Sequence, residues 1–158
     1  NMTADTTLRL AQQDNIVGVK EASSDADQIT SIITNAPDGF RVWSGNDNET
    51  FSIMCTGGYG IVSVASNIIG NQIKSMINLI SEGQRESAAA EHRRMLPIFK
   101  ALFWVTNPVP IKYAVNRAGF NAGNPRLPMV DLAEAAGREV RDSFDRVLDG
   151  YTMDLRAD

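Results

Sequence analysis

The stretch NIVGVKEAS, residues 15–23, decides the fold: Ile16, Val17, Gly18 and Val19 form a compact apolar run that closes on a charged residue, Lys20. A short run rich in β-branched side chains and bounded by polar residues reads as a β-strand buried on both faces. Helix signals flank it. On the amino side Thr3 or Asp5 can cap a short helix carrying Leu8, Leu10 and Ala11, which breaks at Gln13, Asp14 and Asn15. On the carboxyl side Ser24, Asp25 and Asp27 open a second helix with Ile29, Ile32 and Ile33, ended by Pro37, Asp38 and Gly39. The alternation continues. Phe40 to Trp43 reads as a second strand and Ser44 to Asp47 as a turn. Phe51, Ile53 and Met54 mark a short third helix that stops at Gly57 and Gly58, and Ile61 to Val64 is a third strand.

After Asn67 helical periodicity takes over. Ile68, Ile69, Ile73, Met76, Ile77 and Ile80 line one helix closed by Gly83, and a longer one carries Ala88, His92, Met95, Leu96, Phe99, Leu102 and Phe103, with Pro97 expected to kink it. Asn107 to Pro110 interrupts, Ile111, Tyr113, Ala114 and Val115 resume the pattern until Gly119, and Asn121 to Pro128 is loop. The last helix places Ala133, Ala136, Val140, Phe144, Val147 and Leu148 on one face, with Glu134 and Arg138, and Asp142 and Arg146, spaced for i,i+4 ion pairs on the other. The tail after Gly150 has no packing pattern. Neither a repeat of 20–50 residues nor a low-complexity segment is present.

Helix–strand alternation under the right-handed crossover rule means a parallel sheet covered by helices. Three strands do not close a barrel. A complete (β/α)8 barrel needs about 250 residues, and open sheets average about five or six strands, so these 158 residues are expected to be part of a larger α/β fold. The amino terminus agrees: it starts at Asn1 rather than Met and has neither a basic nor an apolar leader region.

Composition narrows the function classes. Fifteen Lys and Arg against 19 Asp and Glu leave a net charge of −4, which argues against a general nucleic-acid binder. With 43% hydrophobic and 22% charged residues the chain is an ordinary globular one. Cys55 is the only cysteine, so an intrachain disulfide and a Cys-based zinc site are both excluded, and a reducing cytoplasm is the simplest setting. The charge-free stretch from Thr50 to Ile73 is long enough to span a bilayer. Its Gly, Asn and Gln residues make it buried core instead, and no membrane association is expected.

In parallel α/β folds the site lies at the carboxyl ends of the strands, which here means Lys20, Ser44 to Asp47, and Val64 to Asn67. A lysine that turns inward from an apolar strand loses water, which favours the neutral amine, a nucleophile toward a carbonyl. The plainer alternative is a lysine that pairs with Glu21 or points to solvent. Other residues read more simply. His92 shares a helix face with Met95, Leu96 and Phe99 and reads as packing, and no second histidine exists for a metal site. Ser63 and Ser66 lack a base, Cys55 beside Met54 reads as a small buried hydrophobe, and Arg93 with Arg94 reads as a solvated helix face. The loop from Gly57 to Gly60 lacks both glycine-rich phosphate-binding patterns.

NIVGVKEAS at 15–23, SGND at 44–47, GGYGIVSVASN at 57–67, NPVPIK at 107–112 and RLPM at 126–129 together resemble the dihydrodipicolinate synthase and N-acetylneuraminate lyase family of pyruvate-dependent aldolases, and the synthase branch in particular. The resemblance covers nearly the whole chain. It implies the C-terminal part of a (β/α)8 TIM barrel: residues 1–67 holding the last three strands, 68–150 the closing helix and a C-terminal helical region, and 151–158 a tail. It implies that Lys20 forms a Schiff base with pyruvate, and that Gly45 and Val62 lie against the pyruvate-derived part of the substrate through main-chain groups. Gly45 would let backbone approach a ligand closely. The iminium draws electrons from the α-carbon, which yields an enamine that attacks an aldehyde, with no metal or organic cofactor. The implied reaction condenses pyruvate with aspartate semialdehyde in lysine and diaminopimelate biosynthesis, in a cytoplasmic homotetramer. The alternatives are a sister aldolase acting on N-acetylneuraminate or a 2-keto-3-deoxy sugar acid, or a non-catalytic half-barrel. The family's first five strands have no counterpart here, nor have its pyruvate-carboxylate threonine motif, relay tyrosine and substrate arginine. None of Tyr59, Tyr113 and Tyr151 sits where that tyrosine belongs. The chain is therefore expected not to catalyse alone, and its expected partner is the N-terminal half of the barrel.

Overall fold

The computed structural model describes residues 1–154. They divide into two compact units, one formed by Asn1–Ser63 with Ile77–Ala89 and the other by Val64–Met76 with the chain from Ala90 onward.

The first unit runs α1 (Ala4–Leu10), β1 (Gly18–Glu21), α2 (Ala26–Asn35), β2 (Arg41–Ser44), a 3-10 turn (Asp47–Glu49), α3 (Thr50–Cys55) and β3 (Gly60–Ile61). Thr3, rather than Asp5, caps α1: its hydroxyl oxygen accepts from the Thr6 N–H at 3.3 Å. Asp25 caps α2, accepting from the Gln28 N–H at 2.9 Å. Each cap satisfies a donor that a helix start leaves without a partner. The strands form one parallel sheet in the order β1-β2-β3, with Lys20 level with Trp43, and Trp43 with Gly60. Strands consecutive in sequence are neighbours in space. That is the winding of barrel staves, whereas a doubly wound sheet reverses its order partway.

Alternation along the strands sorts the two faces. Val42, Ser44 and Glu21 are buried, and Val42 joins Ile29 and Ile32 of α2 and Ile53 of α3 in the core. Lys20, Arg41 and Trp43 take the opposite face. There the Trp43 indole crosses Gly18, where a β-carbon would stand 2.3 Å from its Cζ3. Tyr59 packs edge-on against it at 5.3 Å, and the Arg41 guanidinium sits 4.8 Å over the Tyr59 ring.

Three local expectations change. The first strand begins at Gly18, not Ile16, and is not buried on both faces: Val17 is 67% exposed and Lys20 is exposed, whereas Glu21 is buried on the face that packs against the helices. The third strand is only Gly60–Ile61, although the ladder reaches one residue further, the Val62 N–H donating to the Ser44 carbonyl at 2.9 Å. Cys55 is exposed rather than buried, because it ends α3 on the outward side while Ile53 takes the inward position.

Helices α4 (Ser66–Ser81) and α5 (Arg85–Ala101) each run from one unit into the other, and α6 (Val109–Arg117), α7 (Leu132–Ala136) and α8 (Arg138–Leu148) complete the second. Its core gathers Ile68, Ile73, Met76, Met95, Ile98, Leu102, Phe144 and Leu148. Helix α5 carries Pro97 and continues to Ala101, whereas the interruption falls in α4, at Ile69 (φ −132°, ψ 39°). His92 is half-buried with its ring 6.3 Å from Phe99, which is the packing role expected of it.

The single last helix of the sequence reading is two helices broken at Gly137 (φ 86°, ψ 163°), a conformation essentially restricted to glycine. Neither expected i,i+4 pair forms among the described residues: Asp142 pairs instead with Arg141 at 2.6 Å, and Arg146 donates to the Ser143 hydroxyl at 2.7 Å. What joins α6 to α8 is Tyr113, whose hydroxyl lies 2.9 Å from each Asp145 oxygen, with Arg117 reaching both Asp145 and Asp149. The tail is also tied down. Tyr151 Oη donates to the Arg94 carbonyl at 2.7 Å, the Gln72 amide to the Thr152 carbonyl at 2.7 Å, and the Asp154 N–H to the Ile68 carbonyl at 2.7 Å. The Asp154 carboxylate accepts from the Asn71 N–H at 2.8 Å, so this segment mends the break in α4. The remainder of the expected tail, 155–158, lies outside the described residues. Among the described residues no helix is long and apolar enough to cross a membrane.

Candidate active site

At the carboxyl edge of the sheet Lys20, Gly45 and Val62 stand at the ends of three successive, paired strands. The Gly45 N–H donates to the Glu21 carbonyl at 2.6 Å and the Val62 N–H to the Ser44 carbonyl at 2.9 Å. Each strand end is thus pinned to the one before it. Lys20 leans across this edge: its Cε stands 3.0 Å from the point that a β-carbon on Gly45 would occupy, with Ala22 Cβ at 2.6 Å and the Glu21 carbonyl at 3.1 Å from the same point. The absent side chain of Gly45 is the room in which the lysine stem lies.

Of the two plainer alternatives for Lys20, pairing with Glu21 does not occur, and the residue is solvent-exposed. Adjacent residues on a strand point to opposite faces, and the buried Glu21 carboxylate turns to the loop before α2, where it accepts from the Ser23 N–H at 2.7 Å and the Gln28 amide at 3.3 Å. Among the described residues no carboxylate lies within ion-pair distance of Lys20. Lys20 is exposed and helps line a cleft of about 170 Å³ with Met2, Thr7, Val19, Glu21 and Ser23. Val62 is 48% exposed at the same edge.

The segment Ser44 to Asp47 does more than turn the chain. Ser44 Oγ donates to the Asn46 carbonyl at 2.8 Å, the Asn46 amide reaches the Ala22 carbonyl and the Ser24 hydroxyl, and Asp47, 2% exposed, accepts from the Ser63 hydroxyl. From sequence alone 44–47 is a turn at a strand end and Ser63 only a serine without a base. The available signal is two polar residues, Asn46 and Asp47, following a strand whose last residue, Ser44, is buried. Ser24 takes a left-handed conformation (φ 61°), uncommon for a residue with a side chain, in the loop that Asn46 holds. Val64 to Asn67, expected from sequence as a third strand end, opens α4 and belongs to the second unit. The loop from Gly57 to Gly60 serves packing: a β-carbon at Gly58 would meet Ile53 Cγ2 at 2.6 Å, and one at Gly60 would touch the Trp43 indole at 3.5 Å.

Among the described residues no three His, Cys, Asp or Glu side chains gather into a metal-ligating group. What the edge presents is an amine on a strand end, next to bare backbone at Gly45 and an exposed Val62. That set suits a small carbonyl compound held by covalent attachment and main-chain contact.

Residues 1–146 match the Dihydrodipicolinate synthetase family. The chain is 48% identical over 155 residues to the 4-hydroxy-tetrahydrodipicolinate synthase of Dehalococcoides mccartyi, covering 98% of this chain and 51% of that protein. Its fold matches the crystal structure of dihydrodipicolinate synthase from Thermotoga maritima with a TM-score of 0.87 at 38% identity, over 94% of this chain and 50% of that one. It also matches, with a TM-score of 0.86 at 27% identity and over 95% and 50% of the two chains, the chloride-inhibited dihydrodipicolinate synthase of Acinetobacter baumannii complexed with pyruvate. The chain spans about half the length of the curated relatives it matches.

Proposed function

The chain belongs to the dihydrodipicolinate synthetase family, its three strands being part of a (β/α)8 barrel, and on that premise we propose that it carries the nucleophilic side of a Schiff-base aldolase site for pyruvate and aspartate semialdehyde. One observation supports this most: the stem of Lys20 lies against the bare backbone of Gly45 at the carboxyl edge of the sheet, with Val62 exposed at the end of the next strand. In the proposed chemistry Lys20 Nζ attacks the keto carbon of pyruvate, water leaves, and a protonated imine forms. Loss of a methyl proton turns the imine into an enamine, whose carbon attacks the aldehyde carbon of aspartate semialdehyde. The imine is itself the electron sink, so the proposal requires no metal or organic cofactor. Gly45 and Val62 flank the pyruvate-derived carbons with main-chain groups.

The proposal assigns the proton relay, the grip on the pyruvate carboxylate and the selection of the aldehyde to the half of the relatives that lies outside the match. Turnover is proposed to need that half together with the residues described here, in a cytoplasmic homo-oligomer.

The test is reductive trapping. The chain is incubated with pyruvate and sodium borohydride, alone and with the N-terminal half of a relative, followed by intact mass and peptide mapping. A pyruvyl adduct on Lys20 that disappears in Lys20→Ala is the expected result. A folded sample that takes no adduct in either mixture, or takes it on another lysine, overturns the assignment.

A further inference from the structure

Two consecutive side chains after β2 lace the three strand ends together. Asn46 reaches back: its Nδ2 lies 3.4 Å from the Ala22 carbonyl and 3.2 Å from Ser24 Oγ in the loop that follows Lys20, and 3.0 Å from Glu49 Oε2. Its main-chain carbonyl accepts from Ser44 Oγ at 2.8 Å and from Thr50 Oγ1 at 3.2 Å, both side chains fully buried. Asp47 reaches forward across 16 residues, accepting the hydroxyl of Ser63, the residue after Val62. Asp47 is only 2% exposed, so its end of this part-buried contact is shielded from water, where a hydrogen bond holds its geometry more firmly.

From this lacing we infer that Asp47 is a positioning residue: through Ser63 it sets the main chain of Val62 relative to that of Gly45 before pyruvate arrives. The inference rests on the reading of Lys20 given above. A wall made of main-chain groups has no rotamers with which to adapt, so its place is decided by what its neighbours hold. The Val62 N–H is itself committed to the Ser44 carbonyl, and the segment leaving Val62 is held one residue later by Asp47. The same bond gives the Ser63 hydroxyl a structural task in place of a nucleophilic one.

The test compares the full chain, mixed with the N-terminal half of a relative, with its Ser63→Ala, Ser63→Thr and Asp47→Ala variants in the same mixture, measuring borohydride trapping at Lys20 against pyruvate concentration and the exchange rate of the Val62 amide hydrogen. Ser63→Ala and Asp47→Ala are expected to raise half-saturating pyruvate about tenfold, with the maximal trapping rate within about twofold of the parent, the mark of lost binding rather than lost chemistry. Both are expected to speed Val62 amide exchange, and Ser63→Thr, which keeps the hydroxyl, is expected to restore both readouts. Unchanged half-saturation in Ser63→Ala, or a Ser63→Thr variant as impaired as Ser63→Ala at equal thermal stability, overturns the inference. If the parent itself takes no pyruvate, the reading of Lys20 fails in this chain, and the exchange measurement still decides the clasp: equal Val62 exchange in parent and Ser63→Ala overturns it.

Discussion

The ε-carbon of Lys20 and the missing β-carbon of Gly45 share one space, the two points standing 3.0 Å apart. The lysine of β1 and the glycine after β2 are therefore matched across the sheet, and the Gly45 N–H bonded to the Glu21 carbonyl at 2.6 Å keeps that spacing from relaxing.

Gly45→Ala is the direct probe of that match. The added methyl meets Ala22 Cβ at 2.6 Å and the Glu21 carbonyl at 3.1 Å, so either the backbone rung opens or the loop after β1 shifts. Overpacking of this kind costs about 1–3 kcal/mol, which urea unfolding reads directly. Lys20 trapping by pyruvate and borohydride is expected to fall in the same variant, and a Gly45→Ala chain of parental stability that traps normally would show the match to be incidental.

Two other glycines in open space separate backbone conformation from packing. Nothing lies within 4 Å of a β-carbon at Gly137 or Gly70, but Gly137 has φ 86° and ψ 163° whereas Gly70 lies in α4. Gly137→Ala is expected to cost about 1–3 kcal/mol through backbone strain. Gly70→Ala is expected to be neutral or to stabilise by about 0.5 kcal/mol, by restricting the unfolded chain. Thermal melts of the pair, run side by side, check the opposite signs.

The repair of the break in α4 predicts that the tail contributes to stability. Asp154 accepts from the Asn71 N–H at 2.8 Å just after the non-helical Ile69, in the manner of a cap supplied from a distant segment. Asp154→Ala is expected to cost about 1 kcal/mol, the usual value of a lost cap, and to speed exchange of the Asn71 amide hydrogen. A loss of stability with Asn71 exchange unchanged would place the effect elsewhere.

His92 makes a pH-dependent prediction. Burial first, and the neighbouring Arg93 second, lower its pKa from the ordinary 6.5. The unfolded chain then binds a proton more readily than the folded one, so stability from this group is complete above pH 6.5 and declines as pH falls through 6.5 toward the lower folded-state value. His92→Gln is expected to flatten that part of the stability–pH curve. A slope unchanged in the variant would assign it to other groups.

The residues that sequence placed well are those whose information is local. Thr3 and Asp25 cap helices because a short side-chain oxygen reaches donors three residues on, and a parallel strand does form where the apolar run Ile16–Val19 meets Lys20, although it starts at Gly18. Where local pattern misled, a contact from elsewhere overrode it. The expected i,i+4 pairs of the last helix yield to Gly137, which breaks the helix, and to Arg141 and Ser143, which take Asp142 and Arg146. The tail after Gly150 carries no periodicity because its partners, Arg94, Gln72, Asn71 and Ile68, lie up to 86 residues away.

By itself the sequence determined the order of elements, the parallel sheet, the lysine at a strand end and the family motifs around it, all properties of residues close together along the chain. Only the tertiary structure decided that Glu21 turns from Lys20 toward Ser23 and Gln28, that Gly45 makes room for the lysine stem, and that Asp47 holds Ser63. The reason is register: in a sheet, which residues stand level and which face they take are set when strands pair, and moving one strand by a single residue would reverse every one of these contacts.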